Sequence, residues 1–139
     1  MPCRRGETVS SHILVVDDSS VMRSLLISTL DGLGDVQVTE TGSGFEALRL
    51  LARKKFDLII TDINMPDING LELVSFVKRH PVYQTIPLII VTTERGVRDR
   101  EKGIALGAQE YLIKPFDPKQ LQALAAKYLV AGKERASRG

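Results

Sequence analysis

Five short apolar runs, each breaking off in polar or charged residues, recur along the chain: His12–Val16, Val36–Val38, Asp57–Thr61, Leu88–Val91 and Glu110–Ile113. Runs of this length, rich in Ile, Val and Leu, read as buried strands of a parallel sheet. Between them the apolar positions fall at three- and four-residue spacing, which is one face of a helix. Val21, Met22, Leu25, Leu26 and Leu30 predict a first helix, capped by Ser19 or Ser20 and left at Gly32 or Gly34. A turn, Thr41 to Gly44, leads to a second helix with Phe45, Ala47, Leu48 and Leu51 as its apolar face. Ser43 and Glu46 have the spacing of a capping box there. A third helix starts at Asn69 or Gly70, uses Leu71, Leu73, Val74 and Val77, and stops before Pro81. The fourth, Gly96 to Gly107, is weak: Val97, Ile104 and Ala105 are its few anchors, and Gly103 costs about 1 kcal/mol against alanine in a helix interior. Asp117 caps a last helix with Pro118 at its first position and Leu121, Leu124, Ala125, Tyr128 and Leu129 facing inward. His12 and His80 read as ordinary surface positions. Strands alternating with helices through short loops predict an α/β fold with a parallel sheet covered on both faces. Strand order does not follow from the pattern.

The length, 139 residues, suits a single core. The expected domain spans 12–130, between a flexible lead-in, 1–11, and a flexible basic tail, 131–139. A lone cysteine, Cys3, excludes a disulfide framework and a thiolate metal site and fits a reducing compartment, the cytoplasm. No stretch has the length of a membrane span and none resembles a signal peptide, so no membrane insertion is expected. A net charge of +2, with four Phe, three Tyr and no Trp, gives neither a strong basic patch nor a base-stacking platform. No helix pair is left over to read DNA, so direct nucleic-acid binding is not expected.

The chemistry sits at the strand ends. Asp17-Asp18, Asp62, Thr92 and Lys114 each follow or close a different predicted strand. The carboxyl ends of parallel strands share one edge, and open α/β sheets bind their ligands there. Three converging carboxylates need a cation to stay ionised. Hard oxygen ligands without a His or Cys cluster favour Mg²⁺ over zinc. A hydroxyl, a lysine and a divalent ion around one carboxylate suit a phosphoryl group carried on that carboxylate. Taken singly, Asp17-Asp18 could cap a helix, Asp62 a turn, and Lys114 could be a loop lysine. Their conjunction carries the weight.

From His12 to Val130 these residues, in this order, resemble the receiver domain of two-component response regulators. The resemblance implies a flavodoxin-like, doubly wound sheet of order 2-1-3-4-5, which is that family's established order and not an independent deduction. It implies Asp62 as phosphoacceptor, with Thr92 and Lys114 completing the catalytic set. It implies Mg²⁺ held by Asp18, Asp62 and the carbonyl of Asn64, with Asp17 acting through water. Thr92 and Tyr111 would be the switch pair, Thr92 swinging toward the phosphoryl group and Tyr111 turning inward. Asn64 and Glu94 would tune the site, and the bond before Pro115 would be cis. The phosphodonor would be a histidine kinase or histidine phosphotransfer protein. A downstream partner would dock on the fourth helix, fifth strand and fifth helix. No conventional enzyme activity is implied beyond the chain's own phosphotransfer and dephosphorylation at Asp62. The pattern of Asn64 and Glu94, with the Asp17-Asp18 pair and Tyr111, resembles stand-alone chemotaxis regulators. A relay intermediate, a receiver excised from a longer kinase or regulator, and a never-phosphorylated interaction module are the alternatives. The last is disfavoured by the presence of both Asp62 and Lys114. A flavin-binding relative of the fold would want a phosphate loop where Asp17-Asp18 stands.

Overall fold

The structure, a computed structural model, describes residues 11–138, with the side chains of 11–130. The expected lead-in, 1–11, lies outside the described residues except for Ser11. Five strands, β1 (Ser11–Val16), β2 (Val36–Thr41), β3 (Leu58–Thr61), β4 (Leu88–Thr92) and β5 (Glu110–Ile113), form one parallel sheet of order β2-β1-β3-β4-β5. The helices are α1 (Ser20–Asp31), α2 (Gly44–Arg53), α3 (Gly70–Arg79), α4 (Val97–Leu106) and α5 (Pro118–Arg138). The backbone of 131–138, expected as a tail, therefore continues α5.

Because strand side chains alternate, one sheet gives two cores. Leu14, Val16, Ile59 and Ile90 point to the side of α2 and α3, against Ala47, Leu51, Leu73 and Val77. Ile13, Val15, Ile60, Ile89 and Leu112 point to the side of α1 and α5, against Leu26, Leu30, Leu121 and Ala125. This two-sided burial explains why β3 and β4 read as unbroken apolar runs: every residue in them is buried.

Several sequence expectations change. The capping box lies at α3, where Asn69 accepts from the helix backbone and Glu72 returns a bond to the Asn69 N–H. At α2, Ser43 does accept from the Glu46 N–H, but Glu46 pairs with Arg49, and the Ser43 N–H goes to the Thr41 hydroxyl. Ser19, rather than Ser20, caps α1. The strand β2 runs three residues past the predicted Val38, through the polar Thr39-Glu40-Thr41, because it is an edge strand paired to β1 up to Val16–Thr41. Val21, Leu25, Phe45, Val97 and Ile104, read as core-facing, are exposed. The only buried residue of α4 is Gly103. A Cβ there would come within 2.8 Å of Ile90 Cδ1, so the glycine permits close approach of α4 to the sheet. His12 is half-buried, its ring hydrogen-bonded to the Thr39 hydroxyl at 2.7 Å and set against Phe56. Burial, then the nearby Lys54 charge, lower its pKa. His80 is half-buried too, stacked on Tyr83 with Nδ1 accepting from the Val82 N–H.

Asp67, in the loop after β3, reaches across to α2. Its carboxylate accepts from the Ser43 hydroxyl and from the Gly44 and Phe45 N–H groups. The Ser43 bond first, and the backbone bonds after it, hold the Asp67 carboxyl down at about 2. A carboxyl whose folded pKa is depressed stabilises the fold above its unfolded value near 3.8, and that contribution is lost as pH falls toward about 2. Ser43→Ala is expected to cost about 1 kcal/mol at neutral pH, the usual loss for a helix cap, and to flatten the acid limb of stability between pH 4 and 2. Urea unfolding of both proteins at several pH values reads both effects.

Candidate functional site

Register sets the site. Val16 pairs with Thr61 and Thr92 with Ile113, so the residues that close or follow these strands, Asp17, Asp62, Thr92 and Lys114, crowd one edge of the sheet. Asp62 follows the central strand β3 and Asp17 its neighbour β1. Backbone bonds fix both: Asp62 N donates to the Val16 carbonyl at 2.9 Å and Asp17 N to the Thr41 carbonyl at 3.0 Å. Asp17 and Asp62 are buried at 1% and 6% exposure, while Asp18 faces solvent. One carboxylate oxygen from each of Asp17, Asp18 and Asp62 lies within 4.8 Å of the others.

Lys114 closes the group. Its ammonium lies 2.8 Å from Asp17 Oδ2 and 3.0 Å from Asp62 Oδ2, with the side chain only 9% exposed. Burial pulls the Lys114 pKa down, but the hydrogen bonds and charges of Asp17 and Asp62 outweigh it, and the net direction is up. The Lys114–Pro115 bond is cis, as the family resemblance implied. The remaining oxygens are also held: Asp62 Oδ1 accepts from the Ile63 N–H at 2.6 Å, and Asp17 Oδ1 from the Ser19 N–H at 2.9 Å.

A second constellation radiates from Glu94. Thr92 is fully buried, and its hydroxyl accepts from the Glu94 N–H at 3.3 Å. The Tyr111 hydroxyl donates to the Glu94 carbonyl at 2.8 Å, and Asn64 Nδ2 donates to the Glu94 carboxylate at 2.7 Å. Tyr111 is already inside, at 6% exposure. Burial, followed by the charges of Asp99, Glu94 and Asp62, pushes its phenol up to about 12. Tyr111 and Lys114 thus both have raised values, so their contributions are complete below about pH 10 and are lost as pH rises through the folded values, near 12 for Tyr111. Tyr111→Phe is expected to reduce the fall in unfolding midpoint between pH 9 and pH 12.

Sequence reading missed Arg23. Its guanidinium donates to the Asp17 carbonyl at 2.7 Å and to Glu40 at 2.7 Å, clamping the loop that presents both acids. Position in α1 gave no signal, because the partner Glu40 lies on another strand. Gly70 was read as a helix start, with no signal of close packing. A Cβ on it would sit 1.9 Å from the Asp62 carbonyl oxygen, so α3 packs directly on the acid's backbone.

A doubly wound α/β sheet, with buried carboxylates and a lysine at the point where strand order reverses, defines a class of switch-point proteins. Three carboxylates against one ammonium leave two negative charges, which a divalent cation matches, so the triad can coordinate one. Comparison with known proteins fixes the family. Residues 13–126 match the response regulator receiver domain. The chain is 43% identical over 111 residues to the chemotaxis protein CheY homolog of Campylobacter jejuni, covering 79% of this chain and 85% of that one. The structure resembles chemotaxis response regulator CheY4 of Vibrio cholerae, with a TM-score of 0.78 and 33% identity over 86% of this chain and 99% of the other. It also resembles the signal receiver domain of a signal transduction histidine kinase from Syntrophus aciditrophicus, with a TM-score of 0.81 and 31% identity over 88% and 92% of the two chains. The chain belongs to the response regulator receiver domain family: it is a CheY-like, phosphorylation-dependent signalling switch of a two-component system, with a histidine kinase as phosphodonor. Among the described residues no helix is long and apolar enough to cross a membrane.

Proposed function

We propose that Asp62 accepts the phosphoryl group. The observation that carries this is the pairing of its buried carboxylate with Lys114 beside Asp17, at the carboxyl end of the central strand. An Asp62 oxygen attacks the phosphorus of a phosphohistidine, the P–N bond breaks, and its electron pair leaves with the imidazole. Lys114 meets the charge on the incoming phosphoryl oxygens, and the Thr92 hydroxyl supplies a hydrogen bond to one of them. Asp18, Asp62 and the Asn64 carbonyl would hold Mg²⁺, with Asp17 assisting, and the bound ion would neutralise charge on the transferring group. The exposure of Asp18 leaves room for water ligands, which Mg²⁺ retains. Asp18→Ala is expected to lower Mg²⁺ affinity by about tenfold or more, the order of one charged ligand. Calorimetric titration decides, and unchanged affinity removes Asp18 from the ligand set.

The output follows from Glu94. Movement of Thr92 toward the phosphoryl group breaks its bond to the Glu94 N–H, and the same residue holds the Tyr111 hydroxyl and Asn64. The change therefore reaches the face of α4, β5 and α5, where Val97 and Ile104 lie exposed. A partner docking there makes the chain a stand-alone chemotaxis or motility regulator acting in the cytoplasm, the reading supported by the chemotaxis relatives. A relay intermediate or a piece of a larger kinase is the second reading, favoured by the likeness to a kinase's receiver domain.

A further inference from the structure

The end of the sheet opposite Asp62 carries an open groove of about 540 Å³. Five residue steps lead from Asp57, before β3, to Asp62 after it, so roughly 16 Å separates the two ends at the rise of a strand. The groove floor is apolar: it is lined by Leu51 and Phe56, both buried, and by Ile86, which packs against the same core. Its wall is Val82, 69% exposed on the segment between α3 and β4. That wall is held in place, because Lys78 Nζ donates to the carbonyls of Gln84 at 3.3 Å and Ile86 at 2.6 Å.

The rim is basic. Arg53, Lys54 and Lys55 are exposed, and none forms an ion pair with a described carboxylate. Cations at the last turn of α2 suit the helix dipole, but the dipole does not account for a solvent-facing valine and an apolar floor beside them. Among the described residues Asp57 is the only acid lining the groove, and its Oδ2 is engaged by the His12 N–H. We infer that this groove docks an acidic segment of a partner protein, seating an aliphatic or aromatic side chain between Phe56 and Val82 while its carboxylates meet Arg53, Lys54 and Lys55. The chain's own ends are poor occupants. In the segment before β1, Arg4 and Arg5 outnumber Glu7, and in 131–139 Lys133, Arg135 and Arg138 outnumber Glu134, so both segments carry the sign of the rim. The groove shares no residue with the phosphoryl site or with the Glu94 network, so occupancy is independent of phosphorylation.

The test uses the full chain and a fluorescent dodecapeptide of glutamates and aspartates around a central leucine–phenylalanine pair. Controls replace the acids by lysines or the apolar pair by alanines. Saturable binding of the first peptide alone is expected, with amide shifts at residues 51–57 and 82–86. Lys54→Glu with Lys55→Glu, and separately Val82→Ser, should each weaken it about tenfold or more, through like-charge contact and lost apolar burial. All three positions are exposed, so the amide fingerprint of each variant should stay folded. Affinity should not change when beryllofluoride and Mg²⁺ are added. Absence of saturable binding, equal binding of a control peptide, indifference to the substitutions, or shifts confined to α4 and β5 overturns the inference. So does a dimer that Val82→Ser dissolves, which would make a second copy the occupant.

Discussion

Gly70→Ala is expected to destabilise the protein by about 3 kcal/mol, lowering its melting temperature by about 10 °C. The added Cβ would stand 1.9 Å from the Asp62 carbonyl oxygen and 2.8 Å from both the Asp62 carbonyl carbon and the Ile63 Cα. All three atoms are backbone, so no rotamer change relieves the overlap. Either α3 lifts from the sheet, exposing Leu71 and Val74, or the end of β3 shifts and carries Asp62 with it. The Gly70 N–H bond to the Ile63 carbonyl, at 2.8 Å, resists both. A control separates this from a general glycine effect. Gly34 has φ +90° with nothing within 4 Å of an added Cβ, so Gly34→Ala should cost only about 1–2 kcal/mol of left-handed backbone strain. Differential scanning calorimetry of the two variants checks the ranking. A Gly70→Ala protein as stable as the parent would mean that α3 does not rest on the Asp62 backbone.

The same contact shows what the sequence hid. Apolar runs announced β1, β3 and β4 to within a residue, because strands buried on both faces leave no polar alternation to misread. The convergence of Asp17, Asp18, Asp62 and Lys114 was legible for a related reason: all follow strand ends, and a parallel sheet brings such ends to one edge. The helices were harder. Val21, Leu25 and Phe45 have core spacing yet lie in solvent, since spacing gives a period but not which part of the stripe meets the sheet. For α4 the reading inverted: the apolar side chains Val97 and Ile104 face outward, and the contact with Ile90 and Tyr111 is made by Gly103. Close approach through a missing side chain leaves no hydrophobic signal. Nor does a bond between distant segments, such as Asp67 to the start of α2 or Arg23 to Glu40. Glu94 was read as a tuning residue by resemblance; that its backbone joins Thr92 to Tyr111 became visible only in three dimensions.

Removal of the Asp62 carboxylate should have the largest effect of all on function, because no neighbour can replace it. Asp17 is also buried and also touches Lys114, but it follows β1, the neighbour of the central strand, and α3 does not pack on its backbone. Asp18 is exposed, and neither of its oxygens is bonded to Lys114. Only Asp62 joins the end of the central strand, contact with Lys114 and direct packing by α3. Asn in its place keeps the shape and removes the proposed nucleophile, so the variant should fold while phosphoryl transfer falls to background.

Intact-mass spectrometry after incubation with acetyl phosphate and Mg²⁺ tests this most directly. The parent protein is expected to gain the mass of one phosphoryl group, lost again on hydrolysis, and Asp62→Asn to gain none. Equal labelling of the variant and the parent would contradict the assignment of Asp62 as the acceptor.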